Sequence, residues 1–263
     1  MGRRKNLKDL SPDDELLITE KMNGNNIVYK EYTNGSSALN YKVELKCKNQ
    51  KQKDLCKLIK EKEIVFCAGS AGSGKSYTTL SMALQLLRND ELPYKNITFI
   101  AQTVQAELDL GYLKGSLEDK IGPFLEPTWY NIKKIFKNSN NTRNDKEILD
   151  NLIKSNLITY NHVAFLRGAN IDNSIVIIDE AQQYSKSAMK TILTRIGTDS
   201  KYIFMGDIEQ CDNKELKKTK EENGLKYCMR KLKNIENIGI IEFTNEDIVR
   251  NPIISIILQK FNE

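Results

Sequence analysis

Histidine is almost missing: the chain has one, His162, among 263 residues. A Ser–His–Asp triad or a histidine-based metal centre would have to rest on that single ring, so both are set aside and His162 is read as an ordinary structural or surface residue. Cysteine is sparse. The five stand at 47, 56, 67, 211 and 228, an odd count with no C-x-x-C. That pattern argues against a disulfide framework or a zinc ribbon and points to a reducing, cytoplasmic compartment. Long apolar runs are also lacking. None approaches the roughly 20 residues that span a bilayer, so no membrane association is expected. The opening MGRRKNLKDLSPDDELL is basic but has no apolar stretch behind it, and is not read as a secretory signal.

The charge is mildly basic, with a formal net +5, which by itself names no partner. Basic residues cluster at 1–8 (MGRRKNLK), 48–62 (KNQKQKDLCKLIKEK) and 214–233 (KELKKTKEENGLKYCMRKLK). Aromatic residues are not regularly interleaved with them, so no base-stacking platform is visible. The acids within the last two clusters suggest solvated helix faces. The alternative is tracking of a single-stranded RNA or DNA backbone, which needs only charge. Abundant Lys and Asn hint at an AT-rich genome, cellular or viral.

Residues 1–45 are polar, with turn-prone NGNN and TNGSS around a possible short strand from Ile27 to Tyr32; they read as an accessory segment. From 46 to 263 strands and helices alternate. EIVFCAG, NITFIA, LITYN, SIVIIDEAQ, KYIFMGD and IGIIEFT read as strands. Leu80, Ala83, Leu84 and Leu87 recur at helical spacing, and DKEILDNLIKSN and SKSAMKTILTRIG read as helices. KNSNNTRND, residues 137–145, reads as a surface loop. The alternation argues for an α/β domain built on a mainly parallel sheet.

Gly69-Ser70-Ala71-Gly72-Ser73-Gly74-Lys75-Ser76 matches G-x-x-x-x-G-K-[ST] and lies between a strand and a helix, with Tyr77 following. Glycines let the backbone curl so that N–H groups converge on phosphate oxygens, and the helix N-terminus adds partial positive charge. Lys75 can reach the β- and γ-phosphates, and Ser76 can ligate Mg²⁺. Asp179 and Glu180 end an apolar strand. Asp179 sits where a carboxylate meets the Mg²⁺ shell, and Glu180 can orient or deprotonate a water. That pairing favours hydrolysis over transfer to a second substrate. Asp207 and Gln210, in MGDIEQCD, lie at the carboxyl edge of the same expected sheet, where ligands bind in such folds, and Asp207 is read as nucleotide-binding. Gln210 can face the γ-phosphate or the attacking water.

In these residues the chain resembles the PhoH family of ATPases, relatives of the core of superfamily 1 helicases. The marks, in order, are KNQKQKDL, DLGYLKGSLEDKIGPFLEP, FLRGANIDNSIVIIDEAQ, MKTILTRIG, MGDIEQCD and DIVRNPI, over roughly residues 48–258. The resemblance implies a three-layer RecA-like P-loop NTPase that uses ATP and Mg²⁺. It implies that Asn49 and Gln50 read adenine, favouring ATP over GTP. It also implies a hexameric ring acting on single-stranded RNA or DNA, or else an ATP-driven switch without unwinding. Arg250, in DIVRNP, resembles a helicase arginine finger and is expected to act on a neighbouring subunit's nucleotide, with Arg167 and Arg195 as alternatives. One P-loop and one Asp-Glu strand leave too few residues for a second such domain, which is the reason for expecting a ring. The chain departs from the family at Ile100-Ala101-Gln102, where Thr-Arg-Pro is usual, and at Ala169, where Arg is usual.

Overall fold

The computed structural model describes residues 26–27, 37–101, 117–166 and 170–249. The strands are β1 (Asn26–Ile27), β2 (Leu45–Lys46), β3 (Ile64–Gly69), β4 (Asn96–Ala101), β5 (Ile158–His162), β6 (Ser174–Ile178), β7 (Lys201–Gly206) and β8 (Ile238–Phe243). The helices are α1 (Gln50–Glu61), α2 (Lys75–Leu87), α3 (Leu117–Asn138), α4 (Asp145–Lys154), α5 (Lys186–Leu193), α6 (Lys214–Thr219) and α7 (Gly224–Leu232).

Strands β3 to β8 form one sheet in the order β5-β4-β6-β7-β3-β8, with every pairing parallel. A parallel sheet is covered on both faces, so its central strands are apolar throughout. The alternation of side chains then divides them between two cores. Val65, Cys67, Ile175, Ile177, Ile203 and Met205 point into a core shared with α1 to α4. Phe66, Ala68, Val176, Ile178, Tyr202 and Phe204 point into a second core shared with α5 and α7. Phe66 and Phe204 stack there with ring centroids 4.8 Å apart. Helix layers on both faces of a parallel sheet give the three-layer α/β fold expected.

Helix starts are fixed by short polar side chains. Asn49, Asn144, Ser185, Asn213 and Asn223 each accept a backbone N–H from the first turn of the helix they precede. Helix α3 continues through Gly122, Pro123 and Pro127. Beyond them it buries Ile132, Ile135 and Phe136 in the first core.

The end of the segment read as accessory belongs to this core. Tyr41, Val43, Leu45 and Cys47 alternate inward and are buried. Strand β2 pairs with β1 over two residues. The rest of the stretch is held by side chains. Gln85 donates to the Val43 carbonyl at 2.9 Å, and Ser139 Oγ accepts the Glu44 N–H at 2.9 Å. Tyr41 Oη donates to the Leu84 carbonyl at 3.0 Å. Of the stretch Ile27–Tyr32, only Ile27 lies among the described residues. No described helix is long and apolar enough to cross a membrane.

Candidate nucleotide site

In an all-parallel sheet every strand delivers its carboxyl end to the same edge, and there the chemically suggestive loops meet. Strand β3 ends at Gly69, with φ of 145°. A Cβ on Gly69 would lie 2.6 Å from Phe243 Cβ and 2.7 Å from the Phe243 carbonyl oxygen, so only glycine lets β3 sit this close to β8. Gly74, the residue before α2, has φ of 87° and offers the helix no side-chain cap. A Cβ there would come within 2.6 Å of the Gln52 amide nitrogen.

Lys75 is buried and folds back on its own loop. Its ammonium donates to the carbonyls of Gly69 and Ser70, the latter at 2.9 Å. Burial pulls its pKa below the usual lysine value, opposed by Cys67, Asp207, Asp179 and Glu180.

Two segments brace the loop. From α1, buried Gln52 donates to the Ser73 carbonyl at 2.8 Å and accepts the Lys48 N–H at 2.7 Å. From the chain after β8, Asn245 accepts from Ser70 Oγ at 2.9 Å and the Val249 N–H donates to the Gly72 carbonyl at 3.1 Å. The braces touch each other: Asn49 donates to the Asp247 carbonyl at 3.0 Å.

The acidic pair stands opposite. Ser76 Oγ donates to Asp179 Oδ2 at 3.4 Å, and Asp179 Oδ1 accepts the Glu180 N–H at 3.0 Å. Burial first, and the neighbouring Glu180 second, push the Asp179 carboxyl up to about 6. Glu180 is exposed and holds a left-handed backbone, φ of 52°, a costly conformation for a side-chain-bearing residue. Its carboxylate is held by Gln182, whose amide donates to it at 2.6 Å. The same Gln182 accepts the Asp207 N–H at 3.0 Å and donates to the Gln210 carbonyl at 3.3 Å. Gln183 donates to that carbonyl as well. The loops after β6 and β7 are thus joined through two glutamine side chains.

The structure therefore gathers Gly69 to Ser76, Asp179, Glu180, Asp207 and Gln210 at one edge. The Gln210 side chain is exposed. Tyr77 turns toward α3, where its hydroxyl accepts from Asn138 at 3.3 Å. Gln50 is exposed and donates to Asp54 at 2.8 Å. Arg195 is not in the group. Its carbonyl accepts from Ile171 N–H and Tyr202 Oη, at the amino edge of the sheet, a strand length or about 15 Å from the loop. Arg250, Arg167, Gly168, Ala169 and the stretch 102–116 lie outside the described residues. Sequence reasoning missed Gln52, Gln182, Gln183 and Asn245. The one available signal was their nearness to the motifs.

Ser76 Oγ and Asp179 Oδ2 suit a small hard cation, and a carboxyl with a raised pKa is one that a cation would relieve. The basic cluster 214–233 forms α6 and α7, where Lys217–Asp212 (3.0 Å) and Arg230–Glu222 (2.8 Å) are exposed ion pairs. Lys186 and Arg230 lie over the Tyr227 ring at 5.3 and 5.5 Å, so that ring is already occupied by cations.

The family model described as PhoH-like protein matches residues 44–262. The PhoH-like protein of Bacillus subtilis is 31% identical over 219 residues, 83% of this chain and 64% of the relative. That of Synechocystis sp. is 31% identical over 217 residues, 82% and 62% of the two chains. Protein PhoH2 of Bacillus subtilis is 34% identical over 189 residues, 71% and 41%. The chain thus spans less than two thirds of the length of these curated relatives. Among solved structures, the Pyrococcus furiosus Hef helicase domain is similar over 73% of this chain and 37% of that one, at 11% identity and a TM-score of 0.38.

Proposed function

The chain belongs to the PhoH-like protein family, and from that premise we propose that this nucleotide-binding P-loop protein hydrolyses ATP with Mg²⁺. The observation that carries the reading is the Ser76–Asp179 contact at 3.4 Å beside a phosphate loop, with Glu180 held next to it by Gln182. Phosphate oxygens would take the loop N–H groups of residues 70–76. Lys75 would leave the Gly69 and Ser70 carbonyls for the β- and γ-phosphates, exchanging neutral partners for anionic ones. Ser76 and Asp179 would hold Mg²⁺, which when bound supplies positive charge against the phosphate oxygens. Glu180 accepts the proton of the water that attacks the γ-phosphorus, and ADP and phosphate leave. Gln210 orients that water, and Asp207 holds the loop that carries Gln210.

The wider assembly is part of the same proposal: a cytoplasmic ring, hexameric by resemblance, with Arg250 reaching a neighbour's γ-phosphate and single-stranded RNA or DNA as partner. The test of the centre is direct. Lys75→Ala should weaken ATP binding and abolish turnover. Glu180→Gln should retain binding and lose hydrolysis by on the order of 10²-fold. Wild-type turnover in Glu180→Gln would sink the assignment. Light scattering at assay concentration tests the ring, and stimulation of hydrolysis by single-stranded RNA or DNA tests the partner.

A further inference from the structure

Cys47 and Cys56 meet beside the first turns of α1, their sulfurs 3.8 Å apart. Both are buried free thiols. Cys47 closes the extended stretch from Tyr41, and Cys56 lies inside α1. Between them stand the side chains that brace the phosphate loop: Asn49, which caps α1 and binds Asp247, and Gln52, which joins Lys48 N–H to the Ser73 carbonyl.

The two thiols are chemically unequal. The contact with Cys56, together with Lys53 and Lys60, pulls the Cys47 thiol below its ordinary pKa against the effect of burial. The same contact and burial push Cys56 up. Two sulfurs in contact, one thiol shifted down and its neighbour shifted up, give the order of an attacking and a resolving cysteine. The sulfurs need to approach by under 2 Å to reach the bonding distance of about 2.05 Å. Both sulfurs are buried, so a peroxide reaches them through local opening of the stretch that Cys47 closes.

We infer that Cys47 and Cys56 form an oxidisable dithiol whose disulfide loosens the phosphate loop; the functional consequence rests on the nucleotide reading above. The oxidant is a peroxide. The Cys47 thiolate attacks one peroxide oxygen, the O–O bond breaks, and hydroxide leaves and takes a proton, giving water and a Cys47 sulfenic acid. Cys56 sulfur then attacks the sulfenic sulfur. The S–S bond forms, the S–O bond breaks, and a second water leaves with the Cys56 proton. Two thiols lose two electrons and two protons, and the peroxide takes both.

Drawing the sulfurs together moves Lys48 and Asn49 against α1. That pulls on the Lys48–Gln52 and Gln52–Ser73 bonds, which are the helix's hold on the loop. The coupling is reciprocal: nucleotide that stabilises the braced loop makes the disulfide harder to form by the same factor.

The experiment uses the whole chain in a Cys211→Ser background, because the Cys211 sulfur donates to the Gln182 carbonyl and its oxidation would confuse the reading. Hydrogen peroxide treatment should remove two thiols, lower the intact mass by two hydrogens and yield a peptide linking residues 47 and 56. Amide hydrogen exchange over residues 69–76 should then rise, and ATP affinity should fall by about tenfold. Dithiothreitol should restore both. Adding Cys56→Ser should stop the reaction at a Cys47 sulfenic acid that dimedone traps, with exchange unchanged. No 47–56 link, or a link with unchanged exchange in the loop, overturns the inference. A reduced chain that binds no ATP overturns the nucleotide reading instead, while the exchange measurement still decides the coupling.

Discussion

Gln182 gives its amide to the Glu180 carboxylate at 2.6 Å while its oxygen takes the Asp207 N–H at 3.0 Å. One buried side chain, 1% exposed, thereby fixes the acid after β6 to the loop after β7. The fit has no slack, since a Cβ on Gly206 would lie 2.2 Å from the Gln182 oxygen. Gln182→Ala would strand the Asp207 N–H and free Glu180 to rotate. Expected are a stability loss of about 1–3 kcal/mol and a fall in kcat of about tenfold or more with little change in KM for ATP. Denaturant unfolding and steady-state kinetics measure the two. Stability loss with unchanged kcat would make Gln182 a brace of the fold alone.

Asp179 carries a conflict between site and fold. Its carboxyl is raised from 3.8 to about 6, so between those values the folded chain holds a proton that the unfolded chain releases. Stability from this group therefore falls as pH rises through that window, and the cost is complete above it. Asp179→Asn removes the cost. The nucleotide-free variant should exceed wild type by about 1–2 kcal/mol at pH 7.5, allowing for water at the cleft, and match it below pH 4. Mg²⁺-dependent ATP binding should be lost. Urea unfolding at both pH values, and nucleotide binding with and without Mg²⁺, check this. An Asn variant no more stable than wild type at pH 7.5 would mean that Ser76 and Lys75 already offset the charge.

The parallel sheet and the phosphate loop were legible because both are written locally. Strands buried on two faces are continuous apolar runs, as in IVFCAG and SIVII, and a P-loop needs its glycines in one stretch. What escaped was written at a distance. Gln52 binds a carbonyl 21 residues away, and Gln182 an N–H 25 residues away, with nothing in the local pattern to mark either. Helix α3 was hidden by Pro123 and Pro127; its helical state follows from burying Ile132, Ile135 and Phe136. The stretch 41–47 did alternate, but among the described residues it is held by side chains of α2 and of the turn at Ser139 and Asn141. Several asparagines that read as composition are helix caps.

Gln50 and Gln52, both in the first turn of α1, face different surroundings. Gln52 is committed to the loop, whereas Gln50 is exposed and shares its amide with Asp54. If Gln50 reads adenine, ATP should displace a fluorescent nucleotide far better than GTP. Gln50→Ala should then shrink that preference by about tenfold, the worth of one lost hydrogen-bonding group. Equal displacement by both nucleotides before and after the substitution would leave Gln50 a surface helix residue.

Lys201 opens β7 at the edge of the sheet away from the loop. It is 2% exposed, and its ammonium donates to the Lys62 carbonyl. Burial lowers its pKa from 10.5 to about 7, with Glu63 opposing. Between those values the unfolded chain holds a proton that the folded chain gives up. Stability from this group therefore rises with pH across the window, and below pH 7 the full cost of a buried charge remains. Lys201→Met keeps an unbranched stem and removes the titration. From pH 7 to pH 9 wild type should gain about 2 kcal/mol relative to the variant. Taking the difference cancels the other lysines and tyrosines, which both chains share. Urea unfolding at the two pH values measures it, and nucleotide binding should be the same in both chains at either pH. If the two unfolding curves move together, the ammonium keeps its proton in the fold, and the Lys62 carbonyl and Glu63 repay its desolvation.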